Sequence, residues 1–518
     1  MKKSMFRLAA LGLIVSGLLS CMPRQDNSND VFQRSSPEKE GMRTEGILRF
    51  LEEVQTRRID MHSLMILRHG KVVTEGWWYP YKPDYRHIMH SVSKTFTSTA
   101  IGFAVDEKLL SVNDKVISFF PDELPEDPSP YLAELSIRHL LTMSVGQEPA
   151  PSFALSDGDW VKRFLATPIV HRPGTVFLYS SFASHMLSAI IQKVSGQTTF
   201  DYLKPRLFDP LHITGILWEA DAQGITMGGW GMRIRTEDMA RLGQFYLQEG
   251  RWNGRQLLSE AWIKEASSLQ IYQRDSLTLE EELHNNWVQG YGYQIWRCTH
   301  NAYRADGANG QFIIIMPEQD AVVVITENTQ DTQQILRLVS DHLLPMMTDR
   351  PYTVEEEDRE QLIANLSALA IPDPFRTAEE LEIAKSTVRM YAIEANDRQI
   401  ENVSFTFDAE GGCQLRLDSR EGAQAFAFGP DAWRYGETEK LSPYFLIPRR
   451  NPEGLAPFAV AGYSSWTADD ELRLRLLYIE DYQEETYVCR FEGDRLEMSL
   501  SQSADPSAQT LVLTGSLQ

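Results

Sequence analysis

The sequence predicts an α+β domain built on an antiparallel sheet flanked by helices, followed by a second, antiparallel β-domain that is a small sandwich or barrel. Three observations carry this. A helical pattern, a hairpin pattern and a second helical pattern follow one another between residues 44 and 105. Beyond about residue 385 the apolar residues switch to a period of two, the period of strands with one buried face. The charge is also uneven: residues 351–518 hold 15 basic and 31 acidic residues, a balance of -16, which leaves -6 of the total -22 for residues 1–350. A chain of 518 residues exceeds what one hydrophobic core usually serves, so two domains are expected on length as well.

The bulk composition removes several classes. At 42% hydrophobic, 24% charged and 10% aromatic residues, the chain is neither disordered nor fibrous as a whole. Its net charge of -22 argues against nucleic acid or an anionic membrane surface as an electrostatic partner. The cysteines Cys21, Cys298, Cys413 and Cys489 form no CxxC pair and lack metal-finger spacing, which argues against a structural zinc. The last three read as buried thiols, with a Cys413–Cys489 disulfide left open should the compartment be oxidising.

The N-terminus bears on that compartment. Met1-Lys-Lys-Ser-Met-Phe-Arg7 is a short cationic segment, and Leu8 to Leu19 is an apolar run of twelve residues. That run is too short to span a bilayer and has the length of a signal-peptide core. It ends in Leu18-Leu19-Ser20-Cys21, which resembles a bacterial lipobox. The resemblance implies that Cys21 is lipidated, becomes the first mature residue and tethers the protein to the membrane of the envelope, on its periplasmic or outer-membrane side. Met22 to about Glu40 is polar and reads as a flexible tether.

Thr44 to Arg57 places Ile47, Leu48, Leu51 and Val54 at helical spacing behind a capping-type threonine. Residues 63–79 carry two β-rich runs separated by His69-Gly70, a hairpin signal. The next helix holds the principal candidate site. Ser91 and Lys94 stand three residues apart at the entrance of an apolar run, Phe96, Ala100, Ile101, Ala104 and Val105. On a helix that spacing sets hydroxyl and amine on one face. A lysine buried among apolar residues loses affinity for its proton, and so suits the task of general base for a serine nucleophile. A bare Ser-x-x-Lys is weak evidence, because chance supplies such pairs. Further on, Pro173-Gly174 marks a turn, Thr175 to Tyr179 an extended run and Phe182 to Val194 a helix, so Tyr179 sits on a strand-to-helix loop.

The order of these segments then becomes informative. Ser91-x-x-Lys94, Arg138-His-Leu-Leu-Thr142, Pro173-Gly-Thr with Tyr179-Ser-Ser181, and Gly228-Gly-Trp-Gly-Met-Arg-Ile-Arg-Thr-Glu-Asp-Met-Ala-Arg241 resemble the serine β-lactamase-related superfamily. Within it, the chain resembles class C β-lactamases, their esterase relatives and 6-aminohexanoate-dimer hydrolases. The resemblance covers about residues 37–345. It implies a β-lactamase/transpeptidase-like fold with an all-helical subdomain beside the sheet. It further implies an acyl-enzyme on Ser91, with Lys94 and Tyr179 sharing its proton and no metal or cofactor required. The third family motif falls on Tyr303-Arg-Ala-Asp-Gly-Ala308, where the N–H groups of Ser91 and Ala308 would form the oxyanion hole and Gly307 would let the substrate approach the strand. Residues 311–316 and 321–328 form the two arms of a hairpin by their own pattern.

Two departures shape the expected substrate. Ser181 stands where the family usually has an asparagine, and Ala305-Asp306 stands where it usually offers a cation or imidazole. An aspartate there repels a carboxylate unless Arg304, Arg233 or Arg235 compensates. The expectation is therefore a small-molecule or peptide ester or neutral amide. A cell-wall β-lactamase or D-amino-acid peptidase is the alternative, and a non-catalytic lipid-anchored peptidoglycan-binding or sensor protein a second one. A Ser-His-Asp triad on an α/β-hydrolase is disfavoured by the lack of a Gly-x-Ser-x-Gly elbow.

Ile335 to Met346 reads as a last amphipathic helix, Tyr352 to Glu360 as an acidic linker and Gln361 to Ala370 as a helical stretch. The period-two runs Val403/Phe405/Phe407, Leu415/Leu417, Leu472/Leu474/Leu476 and Leu496/Met498/Leu500 then mark the β-domain. It shows no nucleophile-base pair, and reads as a binding, lid or packing module. The expected boundaries are a signal peptide at 1–20, a tether at 21–40, the hydrolase-like domain at 41–347, a linker at 348–384 and the β-domain at 385–518.

Overall fold

The computed structural model describes residues 32–518 apart from 155, 156, 275, 277, 373–387, 441, 443–456 and 504–509. The expected signal peptide and Cys21 therefore lie outside the described residues. The latter part of the expected tether is structured: Phe32 is buried against Trp252, and Arg34 bridges Glu75 and Glu237. The polar composition of that stretch hid a role as an ion-paired strap on the domain.

The first domain is centred on a six-stranded antiparallel sheet. Its order is Lys71–Trp77, Met61–Arg68, Ala321–Glu327, Gln311–Met316, Tyr303–Gly307 and Trp296–Arg297. The first two strands form the expected hairpin. Its turn residues His69 and Gly70 have φ of 51° and 74°; two left-handed residues give the turn whose twist matches that of the strands it joins. Both faces of the sheet are covered, which explains its near-continuous apolar strands. Leu64, Ile66, Val323 and Ile325 pack on the helix Thr44–Thr56 and the C-terminal helices that begin at Thr332. Met65, Leu67, Val322 and Val324 pack toward the helices Ser93–Asp106 and Thr236–Leu247. The helix Ser181–Ser195 and the short helices Ile137–Leu141, Trp160–Ala166 and Thr199–Leu203 share that second core and make up the helical subdomain.

Four local expectations need correction. Thr44 is the first helical residue rather than the cap; its hydroxyl instead binds the Glu38 carboxylate at 2.7 Å. Thr175 to Tyr179 pairs with no strand and runs as an irregular segment into the helix. The acidic stretch before residue 361 belongs to the helix Glu356–Ser367, whose first turn holds Glu356, Glu357 and Asp358, where carboxylates oppose the helix dipole. Cys413 and Cys489 are free buried thiols, like Cys298, so the disulfide left open is not formed.

The second domain resolves the choice between sandwich and barrel. Ten strands from Val388–Ile393 to Leu511–Leu517 form one sheet, and a parallel pairing of Gly429–Pro430 with Tyr463–Ser464 closes nine of them into a barrel. Its interior is filled by Tyr391, Phe405, Phe428, Leu474, Tyr487 and Met498 among others. The barrel is docked on the first domain: Leu477, Ile479 and Tyr482 lie in the same apolar cluster as the helix Thr44–Thr56 and the sheet. Arg233, fully buried, donates to Asp481 at 2.5 Å and to Glu219 at 2.8 Å.

Candidate active site

Ser91 lies in a single turn of 3-10 helix, His90–Val92, which continues into the α-helix Ser93–Asp106. The i, i+3 spacing brings Lys94 Nζ to 2.8 Å from Ser91 Oγ, the contact anticipated from the motif. Lys94 is 1% exposed, and its nitrogen also reaches Ser181 Oγ at 3.1 Å and the Gly229 carbonyl at 2.6 Å. Burial lowers its pKa to about 7, against a smaller opposing pull from the Asp306 charge. An amine with that affinity can release and take up a proton near neutral pH. In its neutral form it can donate to Gly229 and Ser181 while its lone pair accepts the Ser91 hydroxyl.

Ser181 therefore occupies the place read for the missing amide, where it serves Lys94. The Gly228-Gly229 segment belongs to a motif, but its chemistry is carried by backbone carbonyls that no side chain signals. Gly228 accepts from Thr97 Oγ1 at 2.8 Å, and Gly229 from Lys94. A Cβ on Gly229 would stand 2.6 Å from the Ser181 carbonyl, so glycine alone lets this strip lie flush on the helix.

Tyr179 is brought to the same site. Its ring centroid lies 5.0 Å from Lys94 Nζ and 5.7 Å from the Trp296 ring, with which it stacks at 30°. Burial raises its pKa while a hydrogen bond with Ser91 lowers it, the first effect prevailing. The phenol thus stays protonated at neutral pH, which favours a relay role over a phenolate.

The third motif lies on the strand Tyr303–Gly307, beside the nucleophile turn. Gly307 also has a close neighbour within the protein. Its missing Cβ would fall 2.3 Å from the Met89 carbonyl, so the glycine admits the nucleophile-bearing segment. Ala308 follows at the exposed turn, its carbonyl accepting from Gln311 Nε2 at 3.2 Å. Asp306, 8% exposed, accepts from Arg304 Nε at 2.7 Å, and Arg304 lies with its guanidinium 4.7 Å from the Trp287 ring centroid. Burial raises the Asp306 pKa, with Arg304 and Lys94 pulling it back. The three arginines considered as compensating cations are committed elsewhere: Arg304 to Asp306, Arg233 to Asp481 and Glu219, and Arg235 to Asp238.

The chain is similar to several known proteins. Residues 49–341 match the Beta-lactamase family. A 6-aminohexanoate-dimer hydrolase of Paenarthrobacter ureafaciens is 24% identical over 288 residues, covering 51% of this chain and 71% of that protein. Among solved structures, a family VIII carboxylesterase aligns at 15% identity and a TM-score of 0.47, covering 60% of this chain and 98% of its own. An octameric penicillin-binding protein homologue from Pyrococcus abyssi aligns at 16% identity and a TM-score of 0.46, covering 90% and 99%.

Proposed function

The chain belongs to the beta-lactamase family of serine hydrolases, and from that premise we propose that it cleaves carboxylic esters or neutral amides through an acyl-enzyme on Ser91. The observation that carries this is the 2.8 Å contact between Ser91 Oγ and a buried Lys94 whose pKa has fallen to about 7. Lys94 takes the Ser91 proton as Oγ forms its bond to the substrate carbonyl carbon. The resulting oxyanion is met by the N–H groups of Ser91 and Ala308; removing one such donor commonly costs about 10²–10³ in rate. As the tetrahedral intermediate collapses, the leaving oxygen or nitrogen receives the proton from Lys94 through Tyr179. A water molecule then repeats the sequence on the acyl-enzyme, giving up its proton to Lys94 and returning the hydroxyl to Ser91.

The preference for uncharged substrates rests on the third motif. Asp306 faces the site with its charge balanced by Arg304, and the neighbouring arginines are paired with carboxylates of the protein. That leaves a substrate carboxylate without the partner that β-lactam or D-amino-acid peptide recognition uses. The name of the Paenarthrobacter relative, 6-aminohexanoate-dimer hydrolase, supports keeping amide bonds beside esters as the bond cleaved. Export and anchoring through a lipidated Cys21 belong to the same proposal, and place the enzyme at the envelope. No helix among the described residues is long and apolar enough to cross a membrane.

The test is hydrolysis of short p-nitrophenyl esters, a D-amino-acid amide and a β-lactam side by side, with wild type and Ser91→Ala. Ester or amide turnover that Ser91→Ala abolishes, together with fluorophosphonate labelling at Ser91, is the expected result. Turnover of the β-lactam alone would move the substrate class. Absence of both labelling and turnover would make the protein a binder.

A further inference from the structure

The two peptide N–H groups assigned to the oxyanion hole belong to segments 217 residues apart, the turn at Ser91 and the turn at Ala308. Each stands next to a residue with left-handed backbone: His90 before Ser91 has φ of 44°, and Asn309 after Ala308 has φ of 61°. Such a conformation costs a non-glycine residue about 1–2 kcal/mol, so it persists where surrounding contacts impose it.

One side chain touches both residues. Tyr482, in the barrel turn between the strands Glu471–Tyr478 and Gln483–Glu492, places its Oη 2.5 Å from His90 Nε2 and 3.0 Å from Asn309 Nδ2. All donors and acceptors fit a single chain. The Asn309 amide donates to the phenol oxygen, and the phenol donates to the His90 ring. His90 is able to accept because burial and the charges of Arg233 and Lys94 keep it neutral, with a pKa of about 3. Tyr482 is itself buried and stacks on His87 at 5.6 Å.

The turn that carries this phenol is anchored residue by residue to the segment leading into the nucleophile. The Glu480 carboxylate accepts from Arg86 at 2.7 and 3.1 Å, its carbonyl accepts from the Ile88 N–H at 2.7 Å, and Asp481 binds Arg233. Residues 86, 88 and 90 are thus held by residues 480 and 482 in register. Among its described residues the barrel supplies no part of the reacting machinery, yet it braces the wall against which the nucleophile turn rests.

We infer that Tyr482 is a positioning residue for catalysis: from the C-terminal barrel it ties the residue before the nucleophile to the residue after Ala308, and so fixes the spacing of the two oxyanion donors. This rests on the reading of Ser91 and Ala308 given above. Donors must sit within a few tenths of an ångström of the place where charge develops, and a displacement of about 1 Å costs on the order of 10²-fold in rate.

The experiment compares the full chain with Tyr482→Phe, which keeps the ring and deletes the hydroxyl, using a p-nitrophenyl ester and a phenylboronic acid that forms a tetrahedral anion on the serine. The expected result is a fall in kcat of about 10–100-fold with KM within about twofold, and an equal loss of boronate affinity, since both report on the oxyanion site. Asn309→Ala should give a loss of similar kind, and the double variant should be no worse than the poorer single one, because both break the same strut. A purely structural role would lower the melting temperature and leave the ratio of boronate affinity to KM unchanged. Wild-type kcat and boronate affinity in Tyr482→Phe would overturn the inference while leaving Ser91 as nucleophile; should that variant fail to fold, Asn309→Ala with a boronate loss no larger than its KM change would do the same. A wild-type chain that neither turns over nor labels at Ser91 would remove the functional reading, and this inference with it.

Discussion

Lys94 Nζ and the Gly229 carbonyl oxygen stand 2.6 Å apart, while the same nitrogen lies 2.8 Å from Ser91 Oγ. The carbonyl gives one Lys94 N–H a fixed partner in both protonation states, so loss of a proton frees the lone pair toward the serine. With a pKa of about 7, the base is half neutral at that pH. Only the neutral amine can accept the Ser91 proton, so kcat/KM should rise with pH, reach half its plateau near 7 and level off above it. A pH profile of ester hydrolysis checks this, and Lys94→Ala should lose activity at every pH, by about 10³-fold or more. A flat profile from 5 to 9 would remove Lys94 as the base.

The Arg304–Asp306 pair offers a second test through the same profile. Asp306 raises the proton affinity of Lys94, so Asp306→Ala should move the midpoint of kcat/KM toward acid. The same change strips a fully buried guanidinium of its carboxylate, and breaking a buried pair from one side costs about 3–5 kcal/mol. Denaturant titration should show that loss. A midpoint that moves toward base would mean that Asp306 does not act on Lys94.

What could be read in advance was what repeats along the chain. Ser91, Lys94, Tyr179 and Ser181 are legible because helical spacing and motif order fix them before any tertiary contact is known. The sheet and the barrel strands are legible because burial imposes a period. Gly229 contributes a carbonyl, which every residue has, and so leaves no mark. Tyr482 meets His90 across 392 residues of chain, between two local patterns that carry no sign of each other. The missed role of Gly307 has the same origin: a glycine announces a close approach without saying to what, and here the neighbour is the Met89 carbonyl. The barrel looked like a module apart because its charge and periodicity differ from those of the first domain, whereas its docking rests on a few buried side chains, Arg233 foremost.

Arg233 is where that docking can be broken. Its guanidinium lies between Glu219 of its own domain and Asp481 of the barrel, and all three side chains are at most 1% exposed. Arg233→Met would leave two carboxylates buried without their cation, a loss of about 3–5 kcal/mol. Guanidinium chloride titration measures it, and limited proteolysis between residues 347 and 388 reports whether the barrel has come loose. Replacing all three residues together, Arg233→Met with Glu219→Leu and Asp481→Leu, should restore most of the stability, because an apolar cluster of similar volume needs no charge balance. If Arg233→Met unfolds at the wild-type denaturant concentration, the barrel is held by its apolar contacts alone, and the registered anchoring of residues 480–482 loses its main support.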